Sequence, residues 1–126
     1  MNSRQILQGV ASGEVSAREV TEAALVRIES TEVWFNAFTE RTRERALSEA
    51  DAVDAQRLAG ATLPPLAGLP YAVKNLFDIR GVTTLAGSRI NRELPPAAQD
   101  AVLVQRLAAA GAVLTGALNM DEYAYG

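Results

Sequence analysis

Asp100-Ala101-Val102-Leu103-Val104-Gln105-Arg106-Leu107-Ala108-Ala109-Ala110-Gly111-Ala112-Val113-Leu114-Thr115-Gly116-Ala117-Leu118 decides the fold. Asp100 is a residue type that caps helices, and Val102, Leu103, Val104 and Leu107 supply apolar positions for the helix behind it. Gly111 can take the left-handed conformation that ends such a helix. Ala112 to Leu118 then forms a short, nearly all-apolar run, which suits a strand buried on both faces. A helix that feeds a buried strand is the grammar of an α/β sheet with parallel strands. The fold class read from this stretch is α/β.

Working toward the N-terminus, Leu69-Pro70-Tyr71-Ala72-Val73-Lys74-Asn75-Leu76-Phe77 is rich in strand formers and predicts a second strand over about residues 70–76. Between the two strands, Gly81 to Arg92 shows little periodicity and reads as loop. Leu63-Pro64-Pro65-Leu66 is a stiff connector, too short to separate domains. Ahead of it the pattern is helical. Ile6, Leu7 and Val10 mark a first helix that Gly13 stops. Ser16-Ala17-Arg18-Glu19 has the form of a capping box, and Val20, Ala24, Leu25 and Ile28 give the next helix its apolar face. That helix fades near Ser30-Thr31. Trp34, Phe35 and Phe38 form an aromatic cluster, read as packing or as a partner-binding patch. Thr42 is placed to cap a third helix running to about Leu58, with Gly60 as its stop. The charges at Arg41, Arg43, Glu44, Arg45 and Glu49 look like a solvated face. The expected architecture is N-terminal helices packed on the start of a mixed, mostly parallel sheet.

Composition narrows the chemistry. The 126 residues are 48% hydrophobic and 21% charged, as in an ordinary globular domain. With no histidine and no cysteine, a zinc site of the usual kind, a thiol nucleophile, a disulfide framework and a Ser-His-Asp triad are all excluded within these residues. Twelve basic against 15 acidic side chains leave a net charge of −3, which disfavours nucleic acid or an anionic membrane as partner. The N-terminus lacks the apolar stretch of a secretory signal. Leu107 to Leu118, interrupted by Gly111, Thr115 and Gly116, is well short of the roughly 20 residues needed to cross a bilayer. A cytoplasmic chain is therefore expected.

Lys74 asks for an explanation. It is the only lysine, and the 11 other basic residues are arginines. It lies within an apolar strand, where alternation puts it on the side of Ala72 and Leu76. A desolvated lysine there loses the advantage of its charged form and becomes a usable general base, which arginine cannot do. A lysine near a strand end can equally be a surface residue that reaches water or pairs with a carboxylate, and Asp78 is placed to serve.

Gly68-Leu69-Pro70-Tyr71-Ala72-Val73-Lys74-Asn75 resembles the segment that carries the catalytic lysine of the amidase signature family. Gly81 to Ser88 is similar to the loop that follows it there, and Asp100 to Gly111 and Ala112 to Gly126 continue the match in order. The helical opening around Ser12-Gly13-Glu14-Val15-Ser16-Ala17 is also similar, so the resemblance covers essentially the whole chain. No single motif decides, but four in the right order make a specific signal. The resemblance implies hydrolysis or transfer of carboxamide groups by a Ser–cis-Ser–Lys triad with no cofactor. It makes Lys74 the base and Tyr125 a residue lining the substrate channel. Tyr125 can also simply pack the segment after the last strand.

One departure from the family pattern is large. The two triad serines of that family lie in a Gly- and Ser-rich segment downstream of the match to Gly126. Ser3, Ser12, Ser16, Ser30, Ser48 and Ser88 have no such setting. Residues 1–126 are thus expected to be the N-terminal part of one amidase domain, inactive alone, with an exposed sheet edge that favours aggregation. The resemblance further implies a small amide substrate and a small helical partner protein. The alternative is a non-catalytic binding or assembly module.

Overall fold

The computed structural model describes residues 1–35, 38–75, 77–84 and 95–118. Helices α1 (Ser3–Ser12) and α2 (Ala17–Phe35) come first, followed by a short strand β1 (Phe38–Arg41) and helix α3 (Arg43–Leu58). Strand β2 (Pro70–Lys74), helix α4 (Val102–Ala109) and strand β3 (Val113–Leu118) complete the described elements. The sheet has the order β1-β3-β2. β2 lies parallel to β3, with Pro70 opposite Val113 and Lys74 opposite Leu118. β1 runs antiparallel to β3, with Phe38 opposite Leu118 and Arg41 opposite Gly116. The fold is α/β with a mixed sheet, and the parallel pair is joined through α4 as the sequence implies.

Helix ends show how local chemistry sets these bounds. Asn2 and Gln5 form a capping box at α1, with Gln5 N donating to Asn2 Oδ1 at 2.8 Å and Asn2 N to Gln5 Oε1 at 2.9 Å. The expected box at α2 is present, with Glu19 N to Ser16 Oγ at 2.9 Å and Ser16 N to Glu19 Oε1 at 3.3 Å. Its remaining amides are met from another helix. Asp54 of α3 accepts from Ala17 N at 2.7 Å and from Arg18 N at 3.0 Å. A carboxylate at a helix N-terminus also suits the helix dipole. Gly60 ends α3 with φ 76°, while Gly60 N donates to Arg57 O and Ala61 N to Gln56 O, both at 3.0 Å. The same pair of bonds closes α4 at Gly111, from Gly111 N to Ala108 O and Ala112 N to Leu107 O.

Two expected caps are different. Thr42 precedes α3 but makes no cap bond; its hydroxyl donates to Leu114 O of β3 at 2.7 Å. Ala101, not Asp100, is the N-cap of α4. In both cases a long-range partner outcompetes the helix end.

Two apolar clusters hold the elements together. Val10, Ala17, Val20, Ala46, Ala50, Val53, Ala67 and Val113 form one, joining α1, α2 and α3 to the start of β3. Val73, Ile79, Val104, Leu114 and Ala117 form the other, between β2, β3 and α4. Leu25 of the expected α2 face is buried, whereas Ala24 and Ile28 are half-buried. They line a groove of about 570 Å³ that also includes Ile6, Leu69 and Ala72. The side chains of Trp34 and Phe35 lie outside the described residues, so the expected aromatic cluster is represented by Phe38 alone. Among the described residues no helix is long and apolar enough to cross a membrane.

Candidate functional site around Lys74

β2 and β3 position Lys74. Their register brings the last residue of β2 opposite Leu118, and Asn75 N donates to Leu118 O at 2.9 Å just beyond it. Phe77 N donates to Lys74 O at 3.2 Å, which turns the chain immediately after the lysine. The peptide joining Lys74 to Asn75 is therefore tied at both its carbonyl and its N–H. Lys74 sits at the carboxyl end of a parallel pair, the place where open α/β sheets bind ligands.

The expected desolvation of Lys74 is not found within these residues. Val73 is buried, but Lys74 itself is exposed. The reason is positional: the side chain leaves the very end of β2, and among the described residues no strand pairs with the outer edge of β2. Asp78 does not pair with Lys74 either. Its carboxylate accepts from Thr84 Oγ1 at 2.5 Å, and its carbonyl from Ala101 N at 2.8 Å. Among the described residues no carboxylate pairs with Lys74. The groove along α2 does not reach the lysine, since its lining stops at Ala72 on β2. Tyr125 and Ser88 lie outside the described residues.

Asn75 is buried beside the exposed lysine, and its Nδ2 donates to Thr39 Oγ1 of β1 at 2.6 Å. Together with Glu40, Gly81, Val82, Thr83 and Pro96 these two residues line a cleft of about 290 Å³. Sequence reasoning did not single out Thr39, because its importance depends on the pairing of β1 with β3 across more than half the chain. Among the described residues no group of acidic side chains is arranged to hold a metal ion.

Arg45 and Glu49, expected on a solvated face, instead belong to a polar network. Arg45 makes a two-pronged contact with Asp100, Nη1 to Oδ1 at 2.7 Å and Nη2 to Oδ2 at 2.9 Å, with side chains 17% and 15% exposed. Glu49 accepts from Arg45 Nε at 3.3 Å and from Leu114 N at 2.9 Å. Arg80 N donates to Asp100 Oδ1 at 2.8 Å. Arg41, Arg43 and Glu44 do remain exposed, as expected. The network ties α3 to β3 and to the entry of α4.

The Arg45 guanidinium holds the Asp100 carboxyl below its usual range, with the Arg80 amide adding to the effect against the opposing pull of burial. A depressed folded value means that the carboxylate stabilises the fold above the ordinary Asp range, and that this contribution fades as pH falls through the folded value. Asp100→Asn is expected to cost about 2 kcal/mol at neutral pH, from loss of charge-assisted hydrogen bonds. Urea titrations should show the wild type and variant converging in acid. A constant gap across pH would mean the charge is not the source.

Tyr71 packs on the second apolar cluster beside this network. Burial, with the negative charge of Glu49 adding to it, pushes its hydroxyl up to about 12. The hydroxyl is buried and has no hydrogen-bond partner among the described residues. Tyr71→Phe is expected to be neutral or to stabilise by about 1 kcal/mol, because it removes an unsatisfied polar atom at constant shape. A measured loss above that size would assign the hydroxyl a partner.

The geometry has clear relatives. The Amidase family model matches residues 19–126. The chain is 68% identical over its full length to AtzE, the 1-carboxybiuret hydrolase component of Pseudomonas sp. (strain ADP), and spans 28% of that protein. It is 50% identical over 119 residues to the A component of the glutamyl-tRNA(Gln) amidotransferase of Synechococcus sp. (strain WH7803), covering 94% of this chain and 24% of that one. Among solved structures, it superposes with a TM-score of 0.98 and 68% identity on a chain of a complex described as revealing the evolutionary origins of an s-triazine catabolic enzyme, covering 100% of this chain and 28% of that one. A bacterial aryl acylamidase of the amidase signature enzymes matches with a TM-score of 0.89 at 27% identity, over 98% of this chain and 26% of that one. The chain thus spans about a quarter of the length of the relatives it matches.

Proposed function

The chain belongs to the amidase signature family, and from that premise we propose that residues 1–126 form the lysine-bearing, N-terminal part of an amidase domain. The domain hydrolyses a carboxamide C–N bond by Ser–cis-Ser–Lys chemistry, and Lys74 is its general base. A neutral Lys74 amine takes a proton from the bridging serine, which takes one from the nucleophilic serine. The serine oxygen attacks the carboxamide carbon, and the nitrogen leaves as ammonia with a proton returned along the same path. Water then opens the acyl-enzyme and releases the acid. Both serines lie beyond residue 126, so this segment alone does not turn over.

For a lysine to work as a base it must be kept from staying an ammonium. In this reading that task falls to the remainder of the domain, which covers the end of β2, since Lys74 is exposed among the described residues. Tyr125 then lines the channel by which substrate reaches the lysine. The enzyme acts in the cytoplasm, together with a small helical partner protein.

The observation that carries the substrate is the 68% identity to the 1-carboxybiuret hydrolase component over the whole chain. We therefore assign 1-carboxybiuret, or a similar small carboxylated amide, as substrate. The 50% identity to an amidotransferase component supports the second reading, in which the amide cleaved is that of glutamine. Ammonia release by the complete gene product from 1-carboxybiuret and from glutamine separates the two. Release from 1-carboxybiuret alone is expected. Release from glutamine alone would transfer the assignment, and release from neither amide would remove both.

A further inference from the structure

We infer that Asn75 and Thr39 are a positioning pair that fixes the end of β2 and holds Lys74 in its working place. The inference rests on the reading of Lys74 as the base. Asn75 is 2% exposed, whereas the residue before it is open to solvent. Asn75 lies just past the end of β2, where the chain turns. Its amide reaches β1, donating from Nδ2 to Thr39 Oγ1 at 2.6 Å. Thr39 Oγ1 in turn donates to Ala117 O of β3 at 3.3 Å. The main-chain N–H of Asn75 is bound to Leu118 O at 2.9 Å. One residue therefore ties β2 to β3 through its backbone and to β1 through its side chain.

Burial alone does not call for an asparagine. An apolar side chain would fill the same space with no polar group to satisfy, and a buried amide costs stability unless its hydrogen bonds are made. What the amide adds is direction. A chain of hydrogen bonds from Asn75 through Thr39 to Ala117 O fixes where three strands end relative to one another. The peptide that carries Lys74 is then held by Asn75 on one side and by the Phe77 N–H on its own carbonyl. Only the torsions of the lysine side chain remain to be set by whatever covers it. Proton transfer through a bridging serine depends on heavy-atom distances near 3 Å, so slippage of this strand end acts directly on the rate.

The test uses the complete gene product and a fluorophosphonate probe that labels an activated serine without requiring the natural substrate. Thr39→Val removes the hydroxyl at nearly constant shape, and Thr39→Ser keeps it. Thr39→Val is expected to lower the maximal labelling rate about tenfold, with the half-saturating probe concentration within about twofold of wild type. Thr39→Ser is expected to restore the rate. Asn75→Ala should cost more, and adding Thr39→Val to it should cost nothing further, because the two residues act as one unit. If Thr39→Val is too unstable to purify, Asn75→Gln keeps the amide but displaces it, and a loss of maximal rate at an unchanged melting temperature is expected. Labelling at the wild-type maximal rate in folded Thr39→Val, Asn75→Ala or Asn75→Gln overturns the pair, as does full additivity. Lys74→Ala separates the two levels. Labelling retained in Lys74→Ala overturns the reading of the lysine itself, whereas labelling abolished there but untouched in Thr39→Val overturns the positioning pair alone.

Discussion

Lys74→Arg in the complete gene product is expected to lower kcat/KM for ammonia release by about 10³-fold, the size of a lost general base. The substitution keeps a long apolar stem with nitrogen at its tip but replaces an amine that can be neutral with a group that cannot. A guanidinium stays protonated and cannot accept a proton from a serine. The fold should be little affected, because the backbone hydrogen bonds that hold the end of β2 do not use the Lys74 side chain. The expected signature is a large loss of turnover at an unchanged melting temperature. Turnover within tenfold of wild type would take Lys74 out of the mechanism. A loss of turnover that tracks a loss of folded protein would make it a structural residue.

The largest expected loss of stability belongs to Gly116→Ala. Gly116 sits in the centre of β3, between Ala72 of β2 and Arg41 of β1. A Cβ there would fall on the Glu40 carbonyl oxygen and lie 2.7 Å from Cδ2 of the Phe38 ring. Neither neighbour can step aside cheaply, since both belong to the strand that pairs with β3. A cost of about 3 kcal/mol follows, at the upper end for overpacking, read as a lowered urea midpoint. Gly60→Ala is the natural comparison. Gly60 has φ 76° but nothing within 4 Å of an added Cβ. Its cost should be about 1 kcal/mol, the strain of the left-handed backbone alone. Equal losses at the two positions would show that the approach of β1 does not constrain Gly116.

These two glycines also mark what the sequence makes legible. Gly60 and Gly111 end helices through bonds that span a few residues, and so does the capping box of Ser16 and Glu19. Such features can be read from spacing. The two parallel strands are readable as well, because a run of strand-forming residues is itself a local signal; β2 ends at Lys74 and β3 starts at Val113, close to the expected bounds. β1 was not readable. Phe38-Thr39-Glu40-Arg41 has no apolar alternation, and it is a strand because β3 offers it hydrogen bonds from far along the chain. The same distance explains the other corrections. Thr42, Asp100, Arg45 and Glu49 each have a plausible local use, and each is taken by a partner remote in sequence. At the candidate site, the type and place of Lys74 were legible. Its surroundings were not, because desolvation is decided by residues that pack from elsewhere. Asn75 is adjacent to the lysine in sequence, but its partner on β1 could not be seen without the pairing.

The strand order carries a consequence for synthesis. β3 is the central strand, yet it is the last of the three to leave the ribosome. At about 5 to 20 residues per second, β1 waits several seconds for the strand that completes it. During that interval the nascent chain carries two strands that do not touch each other and a set of helices whose apolar faces have no floor. Early helix pairing between α2 and α3, helped by Asp54 at the first turn of α2, is a long-range assembly that can begin beforehand. The emergence of Leu118 then lets the sheet close in one step. Slow codons or a bound chaperone would act most strongly on the stretch between β2 and β3, where delay prolongs the unpaired state.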